Sequence, residues 1–105
     1  MAKYIFLATY SDEGANGIVG GDSDRVAAME VLCNSVGAKL ISVDITRGEY
    51  DVCVIVEADS FAQIAAMSLK ARASGAAEKF VTLESVDIEE IRSVAKGVQY
   101  TPPSG

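Results

Sequence analysis

A chain of 105 residues, half of them hydrophobic and 23% charged, is long enough for one core and too short for two. Its formal charge of −6, nine Lys+Arg against fifteen Asp+Glu, supplies no basic face for a nucleic-acid backbone or an anionic membrane. Histidine is absent, which removes Ser-His-Asp triads, His-ligated zinc and His-held haem; any chemistry must use Tyr, Cys, Lys, Arg or carboxylates.

"KYIFLATY", residues 3 to 10, reads as a first strand with alternate rows Tyr4/Phe6/Ala8/Tyr10 and Ile5/Leu7/Thr9. The opening segment lacks the basic, apolar and small-residue series of a signal peptide. "SDEGANGIVGGDSD" reads as a long, mobile connection able to cover a site. Its Gly14, Gly17 and Gly20 follow GxxGxxG rather than GxGxxG, and Asp12, Glu13, Asp22 and Asp24 would repel a phosphate. Asp22-x-Asp24 starts like a calcium loop, but Val26 stands where the third ligand belongs and no glycine follows.

A helix is expected from about Ser23, with Val26, Met29, Leu32, Cys33 and Val36 on one stripe and Gly37 as its C-cap. "AKLISVDIT" gives a second strand with Ile41, Val43 and Ile45 on one row, and Arg47-Gly48 turns into a third strand, Glu49 to Ala58. The apolar run Val52-Cys53-Val54-Ile55-Val56 is far short of the roughly 20 residues of a membrane helix. Ser60 and Gln63 form a capping box for a second helix that ends near Ser74-Gly75. "EKFVTLESV" is a fourth strand. Asp87 and Glu90 open a short helix with Ile88, Ile91 and Val94 on one face, and two prolines keep the tail 97–105 extended.

The order β-α-β-β-α-β plus a short helix predicts one α+β, ferredoxin-like domain over 1–96: an antiparallel four-stranded sheet, both long helices on one face, and strands one and three central. The rows Ile5/Leu7, Ile41/Val43/Ile45, Val52/Val54/Val56 and Val81/Leu83 are assigned to the helix-covered core. The opposite face would then carry Tyr4/Phe6/Ala8/Tyr10, Ser42/Asp44, Asp51/Cys53/Ile55/Glu57 and Phe80/Thr82/Glu84. That mixture is too apolar to face water, so a second subunit is expected to cover it, as a dry interface or one enclosing a ligand cavity. The second helix, with Phe61, Ile64, Met67 and Leu69 spread around it, is expected to pack on a neighbouring subunit or on the C-terminal segment.

Cys33, on the apolar stripe, reads as an inert core thiol. Cys53 shares its row with Asp51 and Glu57, but strand neighbours two apart diverge, so no metal site is expected. The two cysteines match neither a zinc nor a disulfide framework, and a cytoplasmic protein with reduced thiols is the expectation. Tyr50 and Asp51 point to opposite faces of their strand. Asp51 then either emerges beside Tyr4, Tyr10 and Tyr100 as a base or ligand anchor, or bonds locally to backbone amides or Arg47. The candidate ligand residues are Tyr4, Phe6, Tyr10, Asp51, Cys53 and Phe80, with Asp51 the one catalytic candidate.

With Gly48, Tyr50 and Asp51 in "RGEYDVCVIVEA", preceded by "YSDEGANGI" and "DSDRVAAMEVLCNSVGAKLISVDIT", the chain resembles the GYD-domain family over about residues 3 to 91. The resemblance implies a small bacterial ferredoxin-like protein with dimeric α/β-barrel-type association, and it carries no assigned activity. It departs from the family pattern at Ala76-Ala77-Glu78-Lys79, where an Arg-containing turn is usual. The expected function is an oligomeric module for assembly or for binding a small apolar or aromatic ligand at the sheet face between subunits, with no cofactor. The alternative is a cofactor-independent enzyme of the dimeric-barrel type acting on a carbonyl or aromatic compound, with Asp51 as base.

Overall fold

In the computed structural model, which describes residues 1–21 and 24–104, the elements run β1 (Ala2–Tyr10), α1 (Asp12–Val19), α2 (Arg25–Val36), β2 (Lys39–Ile45), β3 (Val52–Ala58), α3 (Phe61–Ala73), β4 (Ala77–Glu84) and α4 (Ile88–Ala95). The sheet order is β2-β3-β1-β4 with every neighbouring pair antiparallel. This is the expected ferredoxin-like sheet, with β1 and β3 central and α2 and α3 on one face.

The helix ends follow from their sequence. Asp24 caps α2 by accepting from Ala27 N–H at 3.0 Å. Gly37 ends α2 in the left-handed conformation, φ 75°, which a glycine adopts at little cost. Ser60 and Gln63 form the capping box of α3. Gln63 does more than cap: its side-chain N–H donates to Val36 C=O at 2.6 Å, tying the last turn of α2 to the first of α3. The two helices are thereby held together at that end.

Two expectations are corrected. The segment 11–24 is not simply a loop, because α1 occupies Asp12–Val19. Ser11 caps it through Gly14 N–H, and Asp12 and Glu13 lie at its positive end. Gly14 marks close approach rather than mobility: a Cβ there would lie 2.4 Å from the Ala76 carbonyl oxygen. Ser11 fixes the same junction, its N–H donating to Ala76 C=O at 3.0 Å and its hydroxyl to Gly75 C=O at 2.7 Å. Of the two acids that start like a calcium loop, Asp24 is a helix cap; Asp22, like Ser23, lies outside the described residues.

The second correction concerns which face the strand rows occupy. Tyr4, Phe6 and Ala8 pair with Val56, Val54 and Val52, and all six are buried beneath the helices. Ile5 and Leu7 instead pair with Ile55 and Cys53 on the open face. Phe80 and Thr82 lie opposite Ala8 and Phe6 on the covered face, while Val81 and Leu83 lie opposite Leu7 and Ile5. In β2 a bulge at Ile41 breaks the period of two, so Leu40, Val43 and Ile45 align with the covered row and Ile41 is exposed. The β3 assignment stands: Val52, Val54 and Val56 are buried. The physical reason is volume. Helices α2 and α3 carry small residues such as Ala28 and Ala71 over the sheet, and the larger side chains of the aromatic row of β1 span more of the gap beneath them than its aliphatic row could, without filling it.

The open face therefore carries two apolar rows across three strands, Ile55–Ile5–Leu83 and Cys53–Leu7–Val81. The C-terminal helix α4 buries none of its residues, and Ile88, Ile91 and Val94 are exposed. The radius of gyration, 17.2 Å, exceeds the ~13 Å of a compact chain this long, in keeping with that projecting segment.

Candidate functional site

The Gly48-Glu49-Tyr50-Asp51 corner is built by the backbone. Gly48 has φ 139°, a conformation side-chain-bearing residues rarely adopt. Asp51 closes the turn, its C=O accepting from Thr46 N–H and its N–H donating to Ala8 C=O, each at 2.8 Å. Its carboxylate Oδ2 accepts from the Tyr10 backbone N–H at 2.9 Å. Asp51 thus bonds to a backbone amide, of the two roles weighed for it, and fixes the end of β1. Asp51→Ala is expected to cost about 1–3 kcal/mol of stability by leaving that N–H unpaired. Asp51→Asn, which keeps a side-chain acceptor, is expected to cost less; urea unfolding of the two variants reads the difference.

A cavity of 390 Å³ lies between the covered face of the sheet and the helices α2 and α3. Its floor is Phe6, Phe80 and Val54, its helix walls include Met29, Leu32 and Met67, and exposed Ser35, Lys70 and Ser74 stand at its rim. Its origin is legible in the packing: Gln63 joins the helices at one end, and alanines on both leave space towards the other. The Phe6 and Phe80 rings lie 5.2 Å apart between centroids, tilted by 52°. A second, more open hollow of 420 Å³ is lined by Ile18, Val26, Val43 and Ile45 and has Asp24 on its wall.

Arg25 and Tyr10 set the electrostatics of the first cavity. The Arg25 guanidinium sits 5.2 Å from the Tyr10 ring centroid and donates through Nη2 to Gly14 C=O at 2.8 Å. Its Nε is buried and has no hydrogen-bond partner among the described residues. A cation in the first turn of a helix also opposes the helix dipole, by about 0.3–1 kcal/mol. Burial raises the Tyr10 phenol above its ordinary 10.0, with the Arg25 charge opposing the rise and the Asp51 charge adding to it, so the phenol is neutral at pH 7.

Of the residues singled out from sequence, Phe6, Tyr10 and Phe80 line this cavity. Tyr4 is buried farther along the covered face, its ring 6.2 Å from Phe61. Cys53 lies on the open face as expected, and Asp51 is engaged with β1. Cys33 is buried, and burial pushes its thiol above the ordinary range, as suits a core residue. Sequence reasoning passed over Arg25, although its position against the dipole of α2 was visible; Met29 and Met67 carried no signal beyond core spacing.

Among solved structures, FFRP-DM1 is 18% identical with a TM-score of 0.55, covering 82% of this chain and 100% of that one. The hypothetical protein PHS023 from Pyrococcus horikoshii is 17% identical, TM-score 0.57, over 82% of this chain and 90% of its own. TTHA0845 from Thermus thermophilus is 14% identical, TM-score 0.51, over 83% and 95%. At these identities the likeness is one of fold. No curated protein matches the chain significantly. Among the described residues no helix is long and apolar enough to cross a membrane. The family model that matches, over residues 4–95, is that of the GYD domain.

Proposed function

The chain belongs to the GYD-domain family, and on that footing we propose that it is a homo-oligomeric module that binds a small, largely apolar ligand in the cavity between α2, α3 and the sheet. The observation that carries this reading is the cavity itself: 390 Å³, within the usual range of ligand pockets, walled by aromatic and thioether side chains with a few polar groups at one end. It moves the ligand from the open sheet face, where the sequence rows had put it, to the helix side, because the aromatic residues go there.

The open face supports the oligomeric half of the reading. Its apolar rows are flanked by charges of both signs, Lys3 and Lys79 with Asp44 and Glu57, a pattern that suits two-fold packing of a second copy. The exposed stripe of α4 offers the same partner a second apolar surface. The free thiols Cys33 and Cys53 fit a cytoplasmic setting. The enzymatic alternative finds less support, since Asp51 is absent from the cavity lining and its carboxylate holds Tyr10 N–H.

Titration with the neutral fluorophore N-phenyl-1-naphthylamine tests the binding site. One molecule is expected per chain, and Ala71→Phe, which fills the cavity from α3, is expected to abolish binding while the fold is retained. Undiminished binding to Ala71→Phe would place the site elsewhere.

A further inference from the structure

The charges around the cavity are unlike those of the chain. Carboxylates outnumber cations fifteen to nine overall, yet the charged residues lining this cavity are Arg25 and Lys70, and no carboxylate is among the described lining residues. The neighbouring hollow, which Arg25 also lines, has Asp24 on its wall, so a carboxylate stands beside the cation there and none does among the described lining residues of the first cavity. Arg25 is held in place by its bond to Gly14 C=O and by the Tyr10 ring. A guanidinium fixed among the apolar walls of a cavity that no described carboxylate lines is an arrangement that recognises a carboxylate.

Resting on the cavity-binding reading, we infer that the ligand is an apolar carboxylic acid. Its carboxylate is bound by Arg25, and its hydrocarbon or aromatic body lies against Phe6, Phe80, Met29 and Met67. Lys70, exposed at the rim, adds charge attraction without fixed geometry. Tyr10 positions the guanidinium by stacking and offers its neutral hydroxyl as a second donor.

The test compares two probes of nearly equal shape by isothermal titration calorimetry: 4-phenylbutyrate and 4-phenyl-1-butanol at pH 7 in 150 mM salt. The acid is expected to bind the wild type at least ten-fold more tightly than the alcohol. Arg25→Gln is expected to remove that advantage and leave the alcohol affinity unchanged, which also reports that the cavity is intact. Arg25→Lys is expected to keep part of the advantage, and Lys70→Gln to change it less than three-fold. Equal affinities for acid and alcohol in the wild type would overturn the carboxylate assignment while leaving the cavity reading in place. Arg25→Gln weakening both probes equally would overturn it too. If neither probe binds, the cavity reading falls and the inference with it.

Discussion

Ile55→Glu is expected to turn the protein into a monomer. Ile55 lies in the middle of the open sheet face, with Ile5 on one side, Leu83 beyond it and Ser42 on the other. If a second copy covers this face, the substitution buries a carboxylate in each half of an apolar interface, and a buried charge without a partner costs several kcal/mol. Self-association should weaken at least about a hundred-fold, equivalent to ~2.7 kcal/mol. Sedimentation velocity across a range of concentrations reads this directly. Ile45→Glu, on the far edge strand at a residue already 60% exposed, should leave association unchanged. A wild type that is monomeric at high micromolar concentration would contradict the proposed assembly, as would an Ile55→Glu protein that associates as before.

Phe6→Ala is expected to lower the unfolding free energy by about 3–5 kcal/mol, the usual range for truncating a buried aromatic residue. Phe6 is 2% exposed, contacts Phe80 and sits opposite Val54 at the centre of the covered face. Because a cavity already adjoins the ring, removing it enlarges a void that the sheet, fixed by pairing on both sides, has little freedom to close. Small domains are stable by about 5–15 kcal/mol, so this variant should be marginal. Leu7→Ala, one residue along and on the other face, should cost less than half as much when both are made in the monomeric Ile55→Glu background. Urea unfolding of the pair decides the orientation of β1: if Leu7→Ala is the more damaging, the strand faces the other way.

The orientation of β1 was the feature least legible in the sequence, for a physical reason. Both of its rows are apolar, so alternation gave no contrast, and neither aliphatic nor aromatic character says which layer lies above. The pairing register settles it by placing Tyr4 and Phe6 in line with Val56 and Val54. In β3 the same reasoning succeeded, because Glu57 interrupts one row and leaves Val52/Val54/Val56 as the unbroken one. The caps at Ser60–Gln63 and Gly37 were legible because cap chemistry is local. By contrast, α1 was hidden by its glycines, which suggest a loop until the Ala76 carbonyl against Gly14 is seen. The Gly48, Tyr50 and Asp51 motif identified the family and the turn correctly. As a site it divides, with Asp51 holding the end of β1 and the cavity beginning beyond Tyr10, the residue whose N–H it fixes.

The methionines allow a direct test of where a ligand goes. Met29 and Met67 line the cavity, and Met1, 66% exposed at the chain start, serves as a control. With methyl-¹³C methionine and N-phenyl-1-naphthylamine as the probe, the Met29 and Met67 methyl resonances are predicted to shift together and saturate at one probe per chain. The Met1 resonance should stay in place. Shifts confined to isoleucine and leucine methyls of the open face, Ile5, Ile55 and Leu83, with Met29 and Met67 unmoved, would contradict a helix-side binding cavity.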